Sequence, residues 1–204
     1  MTYDVLIIGG GVAGMSCALI LGSAKNKPFA EDKKIAIIMH QKASALSRGL
    51  FNNVLGIEAG TTGEELLQTG KNQLANSYPQ VIQIEKEKVI SVIREDGFLF
   101  VKTNKDKYKT KNIVVAAGPS NMFAIDGLLE YVIPHKNLPA RKERIQLKNN
   151  NHLVDDGIYV AGVLAGLRSQ FAIAAGSGAQ VATDILTKWN DGNTTMVHDS
   201  VNKS

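Results

Sequence analysis

The chain holds a single cysteine, Cys17, among its 204 residues. That excludes an intrachain disulfide and any Cys-x-x-Cys redox pair, and it fits a reducing cytoplasm. Long apolar runs are also missing, so no membrane span is expected. The apolar N-terminus carries Asp4, lacks a basic leader and is broken by three glycines, which reads as a strand and a loop rather than a signal peptide. No internal repeat, metal-ligand spacing or Ser/His/Asp set stands out. Charge is close to balanced at a formal +4. Much of the excess lies in Lys136, Arg141, Lys142, Arg144 and Lys148. Without interleaved aromatics or a nucleic-acid motif, that stretch reads as a solvated loop and not as a nucleic-acid surface.

What is present begins with Gly9-Gly10-Gly11-Val12-Ala13-Gly14. The run Tyr3-Asp4-Val5-Leu6-Ile7-Ile8 before it reads as a buried strand, and Met15 to Leu21 after it reads as a helix. Gly9-x-Gly11-x-x-Gly14 therefore sits where a dinucleotide fingerprint needs to sit. Gly9 permits the tight turn, Gly11 lets the backbone approach a pyrophosphate, and Gly14 lets helix and strand pack closely. The helix start offers unpaired N–H groups and the positive end of its dipole.

Ile35 to Met39 reads as a second parallel strand. A helix is expected over Thr62 to Leu74, with Thr61 or Thr62 as cap and Glu64 and Glu65 in its first turn. Val81 to Ile93 reads as one or two strands. Gly97–Thr103 and Tyr108–Ala116 flank the polar turn Asn104–Lys107 as a hairpin. Ile113–Ala116 and Ile158–Gly162 are further buried runs, one candidate helix lies around Asn121 to Tyr131, and Gln170 to Trp189 reads as a closing helix. This order predicts a single α/β Rossmann-like domain over residues 1–189, a parallel sheet with a β-meander crossover. Residues 190–204 are polar and aperiodic and read as a flexible tail.

Four segments, in order, resemble the FAD domain of thioredoxin reductase-like flavoproteins, within the pyridine nucleotide–disulfide oxidoreductase group. They are the Gly9–Gly14 loop; Asn53-Val54-Leu55-Gly56 followed by Gly63-Glu64-Glu65-Leu66; Ile113 to Gly118; and Gly157–Gly162 followed by Gln170 and Ala174–Ala179. The resemblance implies a Rossmann-like fold and FAD as cofactor. It also implies that Pro119 to Arg144 is a short linker where the family carries an NADPH domain. No second glycine fingerprint and no Cys-x-x-Cys pair accompany it.

On that resemblance the pyrophosphate lies on Gly9, Gly11, Val12, Ala13 and Gly14. The adenosine ribose faces Met39, His40 and Gln41, where the usual acid is absent. Val89 offers backbone to the adenine, and Ala116, Ala117 and Gly118 allow close approach. Asn52 and Asn53 reach the flavin edge, or else simply stabilise a turn. At the closing motif, Gly162 precedes Val163 where the family has Asp, and Gln170 and Phe171 begin a helix aimed at the flavin pyrimidine. Cys17 reads as a packing thiol.

The implied function is a minimal FAD-dependent oxidoreductase without a disulfide relay. Its electrons come from a partner protein, a free reductant or freely docking NAD(P)H, and a homodimer is expected from the surface the absent domain uncovers. Two alternatives stay open: a non-catalytic flavin-binding or interaction module, and a domain that binds NAD(P) directly. No catalytic side chain is assigned.

Overall fold

A computed structural model describes residues 1–40 and 45–198. In chain order the elements are β1 (Thr2–Ile8), α1 (Val12–Ser23), β2 (Ile35–Met39), β3 (Leu50–Phe51), β4 (Thr61–Thr62), α2 (Gly63–Ser77), β5 (Ile82–Glu85), β6 (Val89–Glu95), β7 (Phe98–Thr103), β8 (Lys107–Val115), β9 (Val132–Pro134), β10 (Ile145–Leu147), β11 (Leu153–Asp155), β12 (Ile158–Val160) and α3 (Phe171–Trp189). The main sheet runs β11-β12-β8-β1-β2-β5, with β6 and β7 attached through β8. From β12 to β5 the pairings are parallel.

The apolar runs are continuous because both sheet faces are covered. Alternation then divides each strand between two cores. Val5, Ile7, Ile37, Met39 and Val114 face α1, α2 and α3. Leu6, Ile8, Ile38, Ile113 and Val115 face the meander and the segment beyond it. Each large aliphatic side chain among these contributes roughly 1.5–3 kcal/mol by leaving water. Cys17, on α1, is fully buried in the first core.

β8 belongs to both halves of the topology. Its first residues, Lys107–Thr110, pair antiparallel with β7. Its last, Ile113–Val115, pair parallel with β12 on that edge and with β1 on the other. The meander is thus continuous with the parallel sheet. Asp4 fastens the lower edge: its carboxylate accepts from the Lys34 N–H and the Lys111 ammonium, each at 2.9 Å.

α2 starts where a capping box fixes it. The Thr62 hydroxyl accepts from the Glu65 N–H at 3.3 Å, and the Glu65 carboxylate accepts from the Thr62 N–H at 2.7 Å. It extends to Ser77, beyond the Leu74 expected from sequence.

The helix expected around Asn121–Tyr131 does not form; that segment is irregular apart from a single 3-10 turn at Leu129–Tyr131. Asp126 instead bonds the edge of β6, donating to Ile90 and accepting from Val92, each at 2.9 Å. Gly127, at φ +79°, lies against Val92, where a Cβ would fall 1.9 Å from the Val92 carbonyl oxygen. Ile125 and Leu128 are buried in the second core. Burial on the meander and these edge bonds outweigh the segment's helical spacing.

The Ile145 N–H donates to the Pro119 carbonyl at 3.2 Å, so the excursion between them closes on itself. Within it β9 and β10 pair as a small antiparallel ladder. Lys136, Arg141, Lys142 and Arg144 are exposed. Beyond α3, Thr195 is buried and Val197 packs against the first core. Among the described residues no helix is long and apolar enough to cross a membrane.

Candidate functional site

The carboxyl ends of β1, β8, β12 and β2 meet at one edge of the sheet, and the loops leaving them form the site. This is the edge where open α/β sheets place ligands. Gly9 turns the chain there at φ +118° and donates its N–H to the Ile38 carbonyl at 2.9 Å. A Cβ on Gly9 would lie 2.4 Å from the Ala116 oxygen, and one on Gly14 would lie 1.9 Å from the Gly9 oxygen. These two glycines let strand, loop and helix approach. Gly11 plays a different part, since a Cβ there would meet nothing within 4 Å.

Gly11 caps α1 without a side-chain hydrogen bond, and no acidic residue stands in that helix's first turn. Among the described residues, then, no side-chain cap or first-turn acid offsets the dipole at this helix start, as suits a bound anion. Val12 is half-buried and Ala13 buried beside them.

Ala116 is tied to β1 by its N–H to the Ile8 oxygen at 2.8 Å. Ala117 is exposed, and Gly118 turns at φ +81° into open space. Gly162, at φ +74°, meets the loop from the far side, where its Cβ would fall 2.9 Å from Ala13 Cβ. The buried Ser177 hydroxyl of α3 accepts the Gly162 N–H at 2.8 Å. Gly178 completes the crossing of α3 on α1, a Cβ there falling 1.9 Å from the Ala13 oxygen. The structure thus brings Gly9, Gly11, Val12, Ala13, Gly14, Ala116, Gly118 and Gly162 into one neighbourhood.

Gln170 is the exposed N-cap of α3, again with no side-chain cap bond and no acid in the first turn. Phe171 follows and meets Phe51 edge-on at 5.4 Å between ring centroids. That contact draws the turn carrying exposed Asn52 and Asn53 over the start of α3. Between α1, α2 and the Phe171 ring is a cavity of about 130 Å³, lined by Gly10, Gly11, Met15, Leu66 and Gly70 among others.

At the end of β2 the residues divide. Met39 is 1% exposed, and its side chain belongs to the first core. It covers Gly10, whose Cβ would lie 2.5 Å from Met39 Cγ. Its carbonyl accepts the Lys86 N–H at 2.8 Å. Its side chain thus packs inward, while His40 is the exposed residue at the strand end. Gln41 lies outside the described residues. Val89 is buried at the start of β6 in register with Thr103, and Asn104 clasps the preceding Lys88 through both its backbone and its side chain.

Two polar residues at this edge carry no local sequence signal. Glu85 ends β5 opposite Met39 in the β2–β5 register, 2.7 Å from the Lys71 ammonium. His135 is buried, and its ring meets the Val163 carbonyl at 2.8 Å. Both are placed by pairings between distant segments. Cys17 is remote from solvent, and burial alone pushes its thiol far up. Among the described residues no group of three or more His, Cys, Asp or Glu could hold a metal ion.

Residues 3–179 match the model of the pyridine nucleotide-disulphide oxidoreductase family. The chain belongs to that family. Its members are FAD-binding flavoproteins, and the Rossmann-like sheet is their fold. Among relatives, the chain is 25% identical over 194 residues to "Uncharacterized oxidoreductase CzcO" of Bacillus velezensis, covering 90% of this chain and 52% of that protein. It is 29% identical over 117 residues to a ferredoxin–NADP reductase of Streptococcus equi subsp. zooepidemicus, covering 57% and 35%. The chain thus spans about half the length, or less, of these two relatives. Among solved structures, a thioredoxin reductase from Gloeobacter violaceus aligns with a TM-score of 0.71 at 14% identity, covering 99% of each chain. At that identity the likeness concerns the fold.

The residues present fit FAD at its middle and at the flavin edge. Open space at Gly11 and Gly118, and two helix starts without acidic residues, suit a pyrophosphate and an electron-rich ring. His40 at the strand end and Val163 after Gly162 are neutral where the resemblance implies acids.

Proposed function

We propose that this chain is a minimal FAD-dependent oxidoreductase domain whose electrons come from a partner protein or from freely docking NAD(P)H. One observation carries the reading. The uncapped start of α1 at Gly11 and the uncapped start of α3 at Gln170 open on the same sheet edge, joined through the Gly162–Ala13 contact. That spacing serves an extended dinucleotide with phosphates at one helix and a flavin at the other.

FAD when bound supplies the redox chemistry. The backbone at Gly9–Gly14 holds the pyrophosphate, and Gly118 leaves room for close approach. The N–H groups at the start of α3 stabilise negative charge on the ring, by roughly 0.3–1 kcal/mol or somewhat more where partly buried. His40 offers the ribose a neutral hydrogen-bonding partner. The 130 Å³ cavity is smaller than the roughly 300–1,000 Å³ of ligand pockets, so the cofactor lies along the open edge as well.

What occupies the middle of the chain supports this electron source. The excursion from Pro119 to Ile145 closes on itself with a two-stranded ladder, and no second glycine fingerprint accompanies it. The single cysteine is buried, which leaves no dithiol relay. The name of the ferredoxin–NADP reductase relative, a protein that exchanges electrons with a separate carrier, favours the same arrangement. A second copy of the chain and a cytoplasmic setting complete the proposal.

The visible spectrum of the purified protein tests it. A yellow protein, or a colourless one reconstituted by FAD, supports the reading. Anaerobic bleaching by NADH or NADPH then separates direct docking from a partner donor. Failure to bind FAD sinks it. The inward-packed Met39 and the neutral Val163 favour a second reading in that event, a degenerate module that uses the exposed basic stretch around Arg141 and Lys142 for interaction.

A further inference from the structure

The 3-10 turn Gly162–Ala165 is held by side chains from the excursion that closes at Ile145 and from Asn149 just after β10. His135, directly after β9, is 7% exposed. Its Nδ1 accepts the Asn137 N–H at 3.1 Å, which places the ring proton on Nε2. Nε2–H then donates to the Val163 carbonyl at 2.8 Å. Asn137 donates from Nδ2 to the Gly166 carbonyl at 2.6 Å, and Asn149 donates to the Ala165 carbonyl at 3.2 Å. Gln146, 5% exposed, lies where a Cβ on Gly166 would fall 2.7 Å from its Oε1.

The carbonyls of Val163, Ala165 and the capping Gly166 thus find side-chain donors in His135 and Asn137 of the excursion and in Asn149 just after β10. The Val163 carbonyl also accepts the Gly166 N–H at 2.9 Å within the turn, so His135 is its second donor and ties the turn to the neighbouring segment. The turn also reaches the glycine loop, since Gly162 faces Ala13 and donates to Ser177.

We propose that His135 is a positioning residue for the cofactor: through Nε2–H it fixes the Val163 backbone, and thereby the spacing between the Gly162 turn and the Gly9–Gly14 loop. This rests on the flavin-binding reading above. The segment standing where the family has its NADPH domain then has a task of its own. It braces the flavin-side turn, which lacks the acid that would otherwise anchor there.

Two replacements divide the imidazole. His135→Gln keeps a donor at the Nε2 position, whereas His135→Asn keeps only an acceptor near Nδ1. FAD affinity is read by flavin fluorescence, and amide hydrogen exchange at residues 162–166 is read on the FAD-free full chain. His135→Asn is expected to raise the FAD Kd about tenfold, the loss of one of the two hydrogen bonds that hold the Val163 carbonyl. It should also speed exchange across 162–166 and alter the band shape of bound flavin. His135→Gln should restore all three. Equal behaviour of the two variants, or faster exchange with an unchanged Kd and spectrum, overturns the proposal and leaves flavin binding intact. A wild-type protein that binds no FAD fails the functional reading, and the positioning role with it, while the exchange data still report whether the brace exists.

Discussion

Gly14→Ala pits local helix preference against a tertiary contact, and the structure decides which prevails. Gly14 is the third residue of α1, and an alanine there gains about 1 kcal/mol of helix propensity. The added Cβ, however, would stand 1.9 Å from the Gly9 oxygen and 3.3 Å from Ile7 Cγ2. The first is short of an ordinary C···O contact of about 3.3 Å by about 1.4 Å. Gly9 cannot yield freely, because its φ of +118° and its bond to Ile38 hold the turn. Overpacking costs typically 1–3 kcal/mol, so the net loss of stability is expected at about 0–2 kcal/mol. That lowers Tm by at most about 8 °C in a chain of this size. Binding should suffer more than folding, because relief of the overlap moves the Gly9–Gly14 backbone by about an ångström. A displacement of that size can cost on the order of a hundredfold at a site. Thermal denaturation and FAD titration of the same preparation measure the two effects. Gly11→Ala is the control, since its Cβ meets no protein atom within 4 Å and acts only on the space for the pyrophosphate. A Gly14→Ala protein with a raised Tm and an unchanged FAD Kd refutes the reasoning.

His40→Ala should weaken FAD binding while leaving FMN binding unchanged, because His40 is the exposed residue at the end of β2; equal effects on both ligands remove it from the adenosine site. Cys17 should resist alkylation in the native protein and react fully in denaturant, since burial raises its thiol and shields it; rapid native labelling contradicts this. Thr62→Ala should cost about 1 kcal/mol by removing the cap of α2, read by chemical denaturation. The same box gives Glu65 a pH signature. Hydrogen bonds from Thr62 lower the Glu65 carboxyl, so its contribution is complete above the ordinary glutamate pKa of about 4.3 and fades as pH falls through the lower folded value. Glu65→Gln should flatten that acid limb, and an unchanged limb counts against the box.

Much of the molecule was legible without coordinates, for reasons of spacing. Alternation and uninterrupted apolar runs marked β1, β2, β8 and β12, because a strand buried on both faces leaves no other pattern. Thr61 or Thr62, with Glu64 and Glu65 following, marks the start of α2 in the sequence; the structure selects Thr62 and pairs it with Glu65. The glycine loop is readable because its strand–turn–helix setting is local, although the atoms that exclude a Cβ at Gly9 and Gly10 belong to Ala116 and Met39, far away in sequence. The course of 121–131 has no local signature because it depends on Asp126 meeting Ile90 and Val92 of β6, more than thirty residues away in sequence. Met39 looked available for a ribose because its neighbours are strand-end residues; burial against Gly10 turned it inward.

The sequence by itself determined the parallel sheet and the family, since those rest on period, turn chemistry and helix starts within a few residues. Only the tertiary structure decided that Glu85 stands beside the end of β2 and that the excursion after Pro119 closes at Ile145. Only there does His135 meet Val163. Each depends on a hydrogen bond or strand pairing between distant segments, and no local pattern carries that information.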